Sequence, residues 1–544
     1  MNDRRLYFAV IIPILLVVIS ALPVPLVVNA AKYAEVGREM LMNHDWINLT
    51  IGGDAYDQKP PLLFWIAAVT FKLFGLSVPA YKLAVLLFSS IGVYSTYRLG
   101  KLFYGKETGL LAAFFWASSL GFQHFNNDIH TDTILADFVV FSVWQFSAYL
   151  KTHKWKNFLL GAVGVGLSML AKGPVGVVIP GAAIGGSLLI KRQWKEIFNY
   201  RWLIALVIVL IMILPAMAGL LNQFGLEGIK FYFWTNNVGR VTGSYHGSST
   251  DYSFYLHTSL YVLLPWTIFM VYGFAQEIRS LIRMRKNKPD YFEVVNILAV
   301  VVYVGILSVA KQQNPHYLLS AVPFLYIITA KWTVRLFESD QKPKTRNTLS
   351  VINKVVATVG PLALLVLPIV VFPEKRFWFW GVYILLYAGI VLLVVKKNSL
   401  PRQVVMLTFT ITIMLFTVNV NMLPNMMKFH TSIEAAQIFN EKAPEGATLN
   451  IYNKKARLWN LLLYSKSPGT YIIEKEDLEK FLPNPGAWIY TNDTGYAEMQ
   501  ELGLDMVVVK IFTEHKQLTS QSSRFLNPKT RNSRFLTMYL VELK

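Results

Sequence analysis

Long apolar stretches recur along almost the whole chain, and they restrict its possible folds more than any other feature. A helix that crosses a membrane needs about 20 apolar residues, and we count about thirteen such segments. Charged residues make up 15% of the 544 residues, against about 25% in a soluble domain. We therefore predict an all-α polytopic membrane protein, with spans near 6–28, 81–102, 107–123, 133–150, 156–171, 174–190, 202–221, 253–274, 291–309, 316–333, 351–372, 377–395 and 403–423.

The distribution of basic residues predicts the orientation of these spans. Every second loop is basic, from the loop near residues 98–106 to the loop near residues 396–402. Cytoplasmic loops are enriched in Lys and Arg, so we expect the N-terminus in the cytoplasm and, with an odd number of spans, the C-terminus outside. We interpret MNDRR and the apolar run after it as a retained first helix, since the apolar core of a signal peptide is shorter, about 7–15 residues.

The formal net charge of +20 does not indicate a nucleic-acid partner. The cations lie in short loops between apolar spans, which is typical of membrane topology and of contact with anionic lipid. The chain contains no cysteine. Disulfide bonds, thiol catalysis and cysteine-ligated metal sites are therefore excluded.

The first outer loop, residues 29–80, is long and polar. It contains a predicted amphipathic helix, Ala31–Asn43, with Tyr33, Val36, Met40 and Leu41 on one face. A helix of this kind is expected to lie along the membrane surface.

The composition changes after Pro424, and we predict a separate soluble domain at residues 431–544, following a transmembrane domain at residues 1–430. Alternating helix and strand patterns predict a small α/β fold for it. The expected helices are Ile433–Lys442, Lys475–Phe481 and Tyr496–Leu502, and the expected strands are Ala447–Tyr452, Gly469–Ile473, Ala487–Tyr490 and Leu504–Ile511.

Several cations lie in the predicted outer loops. Lys59 precedes a rigid Pro60–Pro61 pair, and Lys172 ends a glycine-rich apolar segment. Each of these lysines could instead place its amine in the interface as an ordinary membrane-flanking residue. Arg240 and Lys311 add further positive charge on the same side. Cations that converge on one site suit a departing phosphate, whose negative charge grows as it leaves.

The second outer loop contains two carboxylates. Asp128 and Asp132 are four residues apart and share a face if the segment is helical. Asp132 could instead cap the following helix. We interpret His130, between them, as a polar surface residue rather than a metal ligand, since an isolated His/Asp group is a weak metal signal.

The outer-loop motifs, taken in order, resemble a known family. They are REML in the loop-one helix, DW, KPPL followed by Trp, an acid in the second loop, KGP after the fifth span and an Arg in a long outer loop. This order is similar to that of the aminoarabinose transferases and protein O-mannosyltransferases, which are glycosyltransferases of the GT-C fold. The resemblance covers nearly the whole chain.

The resemblance implies a polyprenyl-phosphate-linked sugar as donor and a lipid, glycan or protein acceptor, which is lipid A in the aminoarabinose branch. It implies no cofactor and no metal for the chemistry. By resemblance, Lys59 holds the donor phosphate, Arg38, Lys172 and Arg240 line or support the cavity, and Tyr33 and Asp132 match a loop-one tyrosine and the second-loop acid. From the outer-loop residues themselves we add Lys311 to the predicted phosphate contacts, and we predict Tyr33, His316 and Tyr317 as substrate contacts.

Two positions depart from the family pattern, and the first bears on the chemistry. The acid at the start of loop one is replaced by Asn29, and the acid before the KPP lysine is replaced by Gln58. An amide cannot act as a general base. Three interpretations remain open: another acid takes the role, the acceptor is acidic enough to need no base, or the protein binds donor without turnover. The alternative acids are Asp132, Asp128, Asp57 and Asp54.

We therefore expect an inner-membrane glycosyltransferase of a bacterium that performs a single inverting displacement on the periplasmic face. The main alternative is a transporter or flippase for a lipid-linked sugar. A transporter favours repeats and mid-membrane charges, whereas these charges lie in outer loops. The second alternative is a non-catalytic binding protein, which Asn29 raises.

Overall fold

The computed structural model describes residues 4–244, 250–283, 291–339, 342–452, 458–472, 478, 486–515 and 523–544. Among these residues, seven helical segments are long and apolar enough to cross a membrane. They are Val78–Tyr104, Thr131–Thr152, Trp194–Thr235, Pro315–Glu338, Pro343–Val371, Phe377–Val394 and Leu400–Met427. Shorter apolar helices accompany them at Phe8–Ala21, Leu62–Phe74, Val175–Ile190 and Val294–Val309. The chain is thus an all-α polytopic membrane protein over most of its length.

The remaining helices complete the bundle and the outer loops. They are Val28–Met42, Lys106–Ser118, Leu120–Asn127, Trp155–Lys172, Val238–Thr242, Phe254–Val262 and Thr267–Arg283. Two of the shorter apolar helices named above are parts of longer ones, Arg4–Ala21 and Tyr291–Val309. Each predicted span overlaps one or more helices. The segment 253–274 is split into two helices at Leu263–Trp266, and the first span ends early, at Ala21. The number of thirteen spans stays a prediction.

The loop-one helix runs from Val28 to Met42, close to the predicted bounds. Glu35 and Glu39, on its polar face, are buried together with Val36. The helix packs on one side against the apolar helix Leu62–Phe74, which the sequence analysis did not predict. Its other side contacts the helix Trp459–Tyr464. Both faces of the helix are therefore covered by protein, so its polar face is not exposed, and its position along the membrane surface stays a prediction.

The C-terminal region forms the predicted α/β fold around a five-stranded sheet. Strands β1 (Thr50–Ile51) and β2 (Asp54–Ala55) form a small separate hairpin in loop one. The strands of the C-terminal sheet, in chain order, are β3 (Leu449–Tyr452), β4 (Pro468–Ile472), β5 (Trp488–Asn492), β6 (Met506–His515) and β7 (Phe535–Leu543). The sheet order is β4-β3-β5-β7-β6. Strand β3 is parallel to β4 and β5, and β7 is antiparallel to β5 and β6.

Helices cover this sheet at Thr431–Lys442, Trp459–Tyr464 and Asp493–Glu501, and a short one lies at Ser523–Leu526. The sequence analysis missed β7 and Trp459–Tyr464. Its predicted helix Lys475–Phe481 lies outside the described residues except for Leu478. The other predicted elements are present with shifts of a few residues at their ends.

Candidate active site

Two helix ends bring a buried ion pair together. Lys172 is the last residue of the helix Trp155–Lys172, and Asp132 lies in the first turn of Thr131–Thr152. The Lys172 Nζ donates to Asp132 Oδ1, and their side chains are 11% and 2% exposed. Helix dipoles favour a cation at a C-terminus and an anion at an N-terminus, so both ends stabilise the pair. Gly173 adopts φ = 90°, which lets the chain turn directly after Lys172.

Arg240 approaches this pair from the long fourth outer loop. Its Nη1 donates to the Tyr317 hydroxyl at 3.2 Å, and the Lys172 Nζ lies 3.8 Å from the centre of the same tyrosine ring. The Arg240 Nε donates to Asn236 Oδ1 at 2.8 Å, and Asn236 Nδ2 donates to the Gln58 carbonyl at 2.9 Å. Arg240 is thereby connected to the residue directly before Lys59.

Lys59 completes a group of three cations. Burial lowers its pKa from 10.5 to about 7, and the positive charges of Lys172 and Arg240 act in the same direction. It lines a pocket together with Tyr56, Asp57, Pro60, Pro61 and Tyr232. The structure thus brings Lys59, Lys172 and Arg240, from three separate outer segments, to one site. A site where three cations meet beside one carboxylate, Asp132, suits a phosphate.

Tyr33, from the loop-one helix, lies beside the same group. Its side chain is buried, and its pKa is raised by burial and further by the charge of Asp132 and by Tyr317. The Tyr33 phenol therefore keeps its proton at neutral pH and can donate a hydrogen bond to a substrate oxygen.

A second cavity, of about 350 Å³, lies close to Asp132. Asn29, Asp128, His130 and His316 line it. The His316 Nε2 is 3.9 Å from Asp132 Oδ2, and the His130 and His316 rings are 4.3 Å apart. Asp132 thus pairs with Lys172 through Oδ1 and lies near His316, a residue of this cavity, through Oδ2.

The second outer loop differs from the prediction. Asp128 and Asp132 do not share a helix face, because one helix ends at Asn127 and Ile129 adopts a left-handed φ of 46° before the next begins at Thr131. Asp132 does not cap that helix either, since His130 occupies the N-cap position. His130 is buried, so its interpretation as a surface residue was wrong.

The described residues contain one group that could hold a metal ion. Nitrogen and oxygen atoms of His130, Asp132 and His316 lie within 4.8 Å of one another. A cation there would have to displace Lys172 from Asp132 and compete with the nearby charge of Lys59. The arrangement favours the ion pair.

Other predicted site residues lie elsewhere. Arg38 donates to Glu35 and to the Ser465 carbonyl, both at 2.8 Å, so it connects the loop-one helix to the C-terminal domain and does not join the three cations. Lys311 is exposed, and its backbone N–H donates to the Val241 carbonyl. Asp54 is exposed in the loop-one hairpin.

The sequence analysis missed two residues that shape the cationic pocket. Asn236 orients Arg240, and Tyr232 is buried against the pocket with its hydroxyl donating to the Met169 carbonyl at 3.2 Å. Both belong to the run FYFWTNN, directly before Arg240. This cluster of aromatic and amide side chains in an outer loop is the sequence feature from which these two site residues could have been predicted.

Comparisons with known proteins agree on one relationship. Residues 58–218 match the family described as dolichyl-phosphate-mannose-protein mannosyltransferase. Undecaprenyl phosphate-alpha-4-amino-4-deoxy-L-arabinose arabinosyl transferases from Pseudomonas paraeruginosa and Edwardsiella ictaluri are 22% and 23% identical, over 64% and 62% of this chain. The matched region spans 63% and 60% of these two relatives, less than two thirds of their length.

The fold is also that of a solved relative. The structure of ArnT from Cupriavidus metallidurans bound to undecaprenyl phosphate superposes with a TM-score of 0.75 at 17% identity, and covers 99% of this chain and 98% of that one. The apo form gives a TM-score of 0.73. The chain thus has the fold of ArnT, and its sequence is similar to the aminoarabinose transferases and, over residues 58–218, to the protein mannosyltransferase family, as the outer-loop motifs indicated.

Proposed function

We propose that this protein is a glycosyltransferase that moves a sugar from a polyprenyl-phosphate donor to an envelope lipid, glycan or protein. The observation that carries the proposal is the meeting of Lys59, Lys172 and Arg240 beside Asp132. The donor class follows from the relatives, whose names specify undecaprenyl phosphate.

The reaction uses these charges at the leaving group. An acceptor oxygen attacks the anomeric carbon, the bond from that carbon to the phosphate oxygen breaks, and polyprenyl phosphate leaves with one additional negative charge. Lys59, Lys172 and Arg240 stabilise that charge in a site shielded from water, where such interactions are strongest. Tyr317 holds Arg240 and Lys172 in place.

The site faces the periplasm of a bacterial inner membrane in this proposal. The alternation of basic loops supports a cytoplasmic N-terminus and a periplasmic C-terminal domain at residues 431–544. Residues 1–430 then form the transferase domain, with its site at the outer ends of the helices. Donor and acceptor both reach this site from the membrane or the periplasm.

The direct test is release of polyprenyl phosphate from lipid-linked sugar by the purified protein in vesicles made from bacterial envelope membranes, which supply the acceptor. We expect release by the natural protein and loss of release in Lys59→Met. Lys230→Met is a matched control, because Lys230 lies in the same outer region with its side chain 63% exposed. Movement of intact donor across the vesicle without release contradicts the proposal and indicates a transporter. Binding without release indicates a non-catalytic protein.

A further inference from the structure

The structure distinguishes among the acids that could replace the family base. Asp132 is 2% exposed and held by Lys172. Asp57 lines the Lys59 pocket and does not line the second cavity, which Asn29 and His316 line. Asn29 lines that cavity, but its amide cannot take a proton. Asp128 is the carboxylate in the lining of this cavity, among the residues that the structure describes.

Asp128 is both accessible and oriented. It follows the helix Leu120–Asn127, and its side chain is 40% exposed. One carboxylate oxygen, Oδ2, lies 2.7 Å from His130 Nε2, so the imidazole N–H fixes the carboxylate. The His130 ring is in turn packed between Phe125 and His316. The second oxygen is left for a ligand in the cavity.

The ionisation of Asp128 suits a base. Burial raises the pKa of Asp128, but the hydrogen bond from His130 and the electrostatic effect of the neighbouring histidines act in the opposite direction, and the pKa is lowered overall. The carboxylate is therefore ionised at neutral pH.

We infer that Asp128 is the general base for a hydroxyl acceptor bound in this cavity, with His130 as its positioning residue. The inference rests on the proposed transferase function. The acceptor O–H gives its proton to Asp128 Oδ1, the acceptor oxygen forms a bond to the anomeric carbon, and the bond from that carbon to the phosphate oxygen breaks. The departing phosphate is held by Lys59, Lys172 and Arg240.

The lining of the cavity indicates what carries this hydroxyl. Besides its polar residues, the cavity is lined by the apolar side chains of Val24, Leu26, Leu423, Met426 and Met427. The volume of about 350 Å³ is within the range of small-molecule sites. The acceptor is therefore amphipathic, with a hydroxyl group next to an apolar part, as in a lipid-linked sugar.

The test separates binding from transfer. We expect Asp128→Asn to lower the turnover of polyprenyl-phosphate sugar at least 100-fold, as for loss of a general base, while its affinity for polyprenyl phosphate stays unchanged. Unchanged affinity also shows that the variant folds. Asp251→Asn is the matched control, because Asp251 also pairs with a histidine, His257, but both side chains are 51% exposed. We expect no loss of turnover in it.

A second variant supplies the base from across the cavity. Asn29→Asp places a carboxylate on the same cavity, so we expect it to restore turnover at least tenfold in the Asp128→Asn background. His130→Gln is expected to lower turnover less than Asp128→Asn does. The loss is expected in kcat, with KM unchanged. Turnover that needs a divalent metal after treatment with EDTA overturns the inference, since Asp128 and His130 would then act near a metal.

The outcomes also separate this inference from the function on which it rests. Full turnover in Asp128→Asn, or loss of polyprenyl-phosphate affinity in it, overturns the role of Asp128 while the transferase function stands. No release of polyprenyl phosphate by the natural protein overturns both.

Discussion

The charge of Lys59 depends on whether the phosphate pocket is filled. The lowering of its pKa from 10.5 to about 7 corresponds to roughly 5 kcal/mol against the protonated amine in the empty pocket. A bound phosphate adds negative charge next to the amine and raises this pKa again. Binding above pH 7 therefore takes up one proton, and affinity falls about tenfold for each pH unit.

The expected result is specific to this lysine. Between pH 7.5 and 9, where a phosphate monoester stays a dianion, the affinity for polyprenyl phosphate is expected to fall roughly 30-fold. Lys59→Met is expected to bind roughly 10- to 100-fold more weakly at pH 7 than the natural protein, through loss of a charge-assisted hydrogen bond, and to show no pH slope. Lys59→Arg, which stays charged over this range, is the control and is also expected to show none.

The assay is calorimetric titration of detergent-solubilised protein with polyprenyl phosphate, in buffers of different ionisation enthalpy, which measures proton uptake directly. A flat affinity profile for the natural protein refutes the assignment of Lys59 to the phosphate. A slope that persists in Lys59→Met refutes it equally, because another group then takes up the proton.

Three further outcomes follow from described contacts. Lys172→Met removes the ion-pair partner of the buried Asp132 and is expected to lower the unfolding free energy by about 3–5 kcal/mol. The double variant Lys172→Met with Asp132→Asn is expected to recover part of this loss. Equal melting temperatures for the single and double variants contradict this expectation. Arg38→Met removes a hydrogen bond between the loop-one helix and the C-terminal domain. We therefore expect faster proteolysis after residue 430, with the affinity for polyprenyl phosphate unchanged. Loss of this affinity would indicate that Arg38 binds the phosphate. Single cysteines test the orientation, because the natural chain has no cysteine. Asp505→Cys is expected to react with an impermeant maleimide in cells whose outer membrane is permeabilised, whereas Lys396→Cys is expected to react only after lysis. The reverse pattern contradicts the predicted orientation.

The sequence predicted the membrane class and the cationic site because both depend on composition and on loop membership. Long apolar runs can be read without tertiary contacts. Lys59 and Lys172 stand at the ends of apolar segments on the same predicted side of the membrane, so their convergence needed only the topology.

The rest depends on backbone geometry and on contacts distant in sequence. The left-handed turn at Ile129 separates Asp128 from Asp132, and a spacing of four residues gives no sign of it. Arg38 could not be assigned, since its partner Ser465 is 427 positions away. The loop-one helix carries a polar face typical of a surface helix, yet the C-terminal domain and the helix Leu62–Phe74 bury that face.

The most direct test of the account is an experimental structure of the protein with bound polyprenyl phosphate in lipid. We expect the phosphate within hydrogen-bond distance of the Lys59 Nζ and the Arg240 guanidinium, with the Asp128 cavity open. A phosphate bound elsewhere, with Lys59 and Arg240 making no contact to it, would contradict the central claim that these outer-loop cations form the donor site.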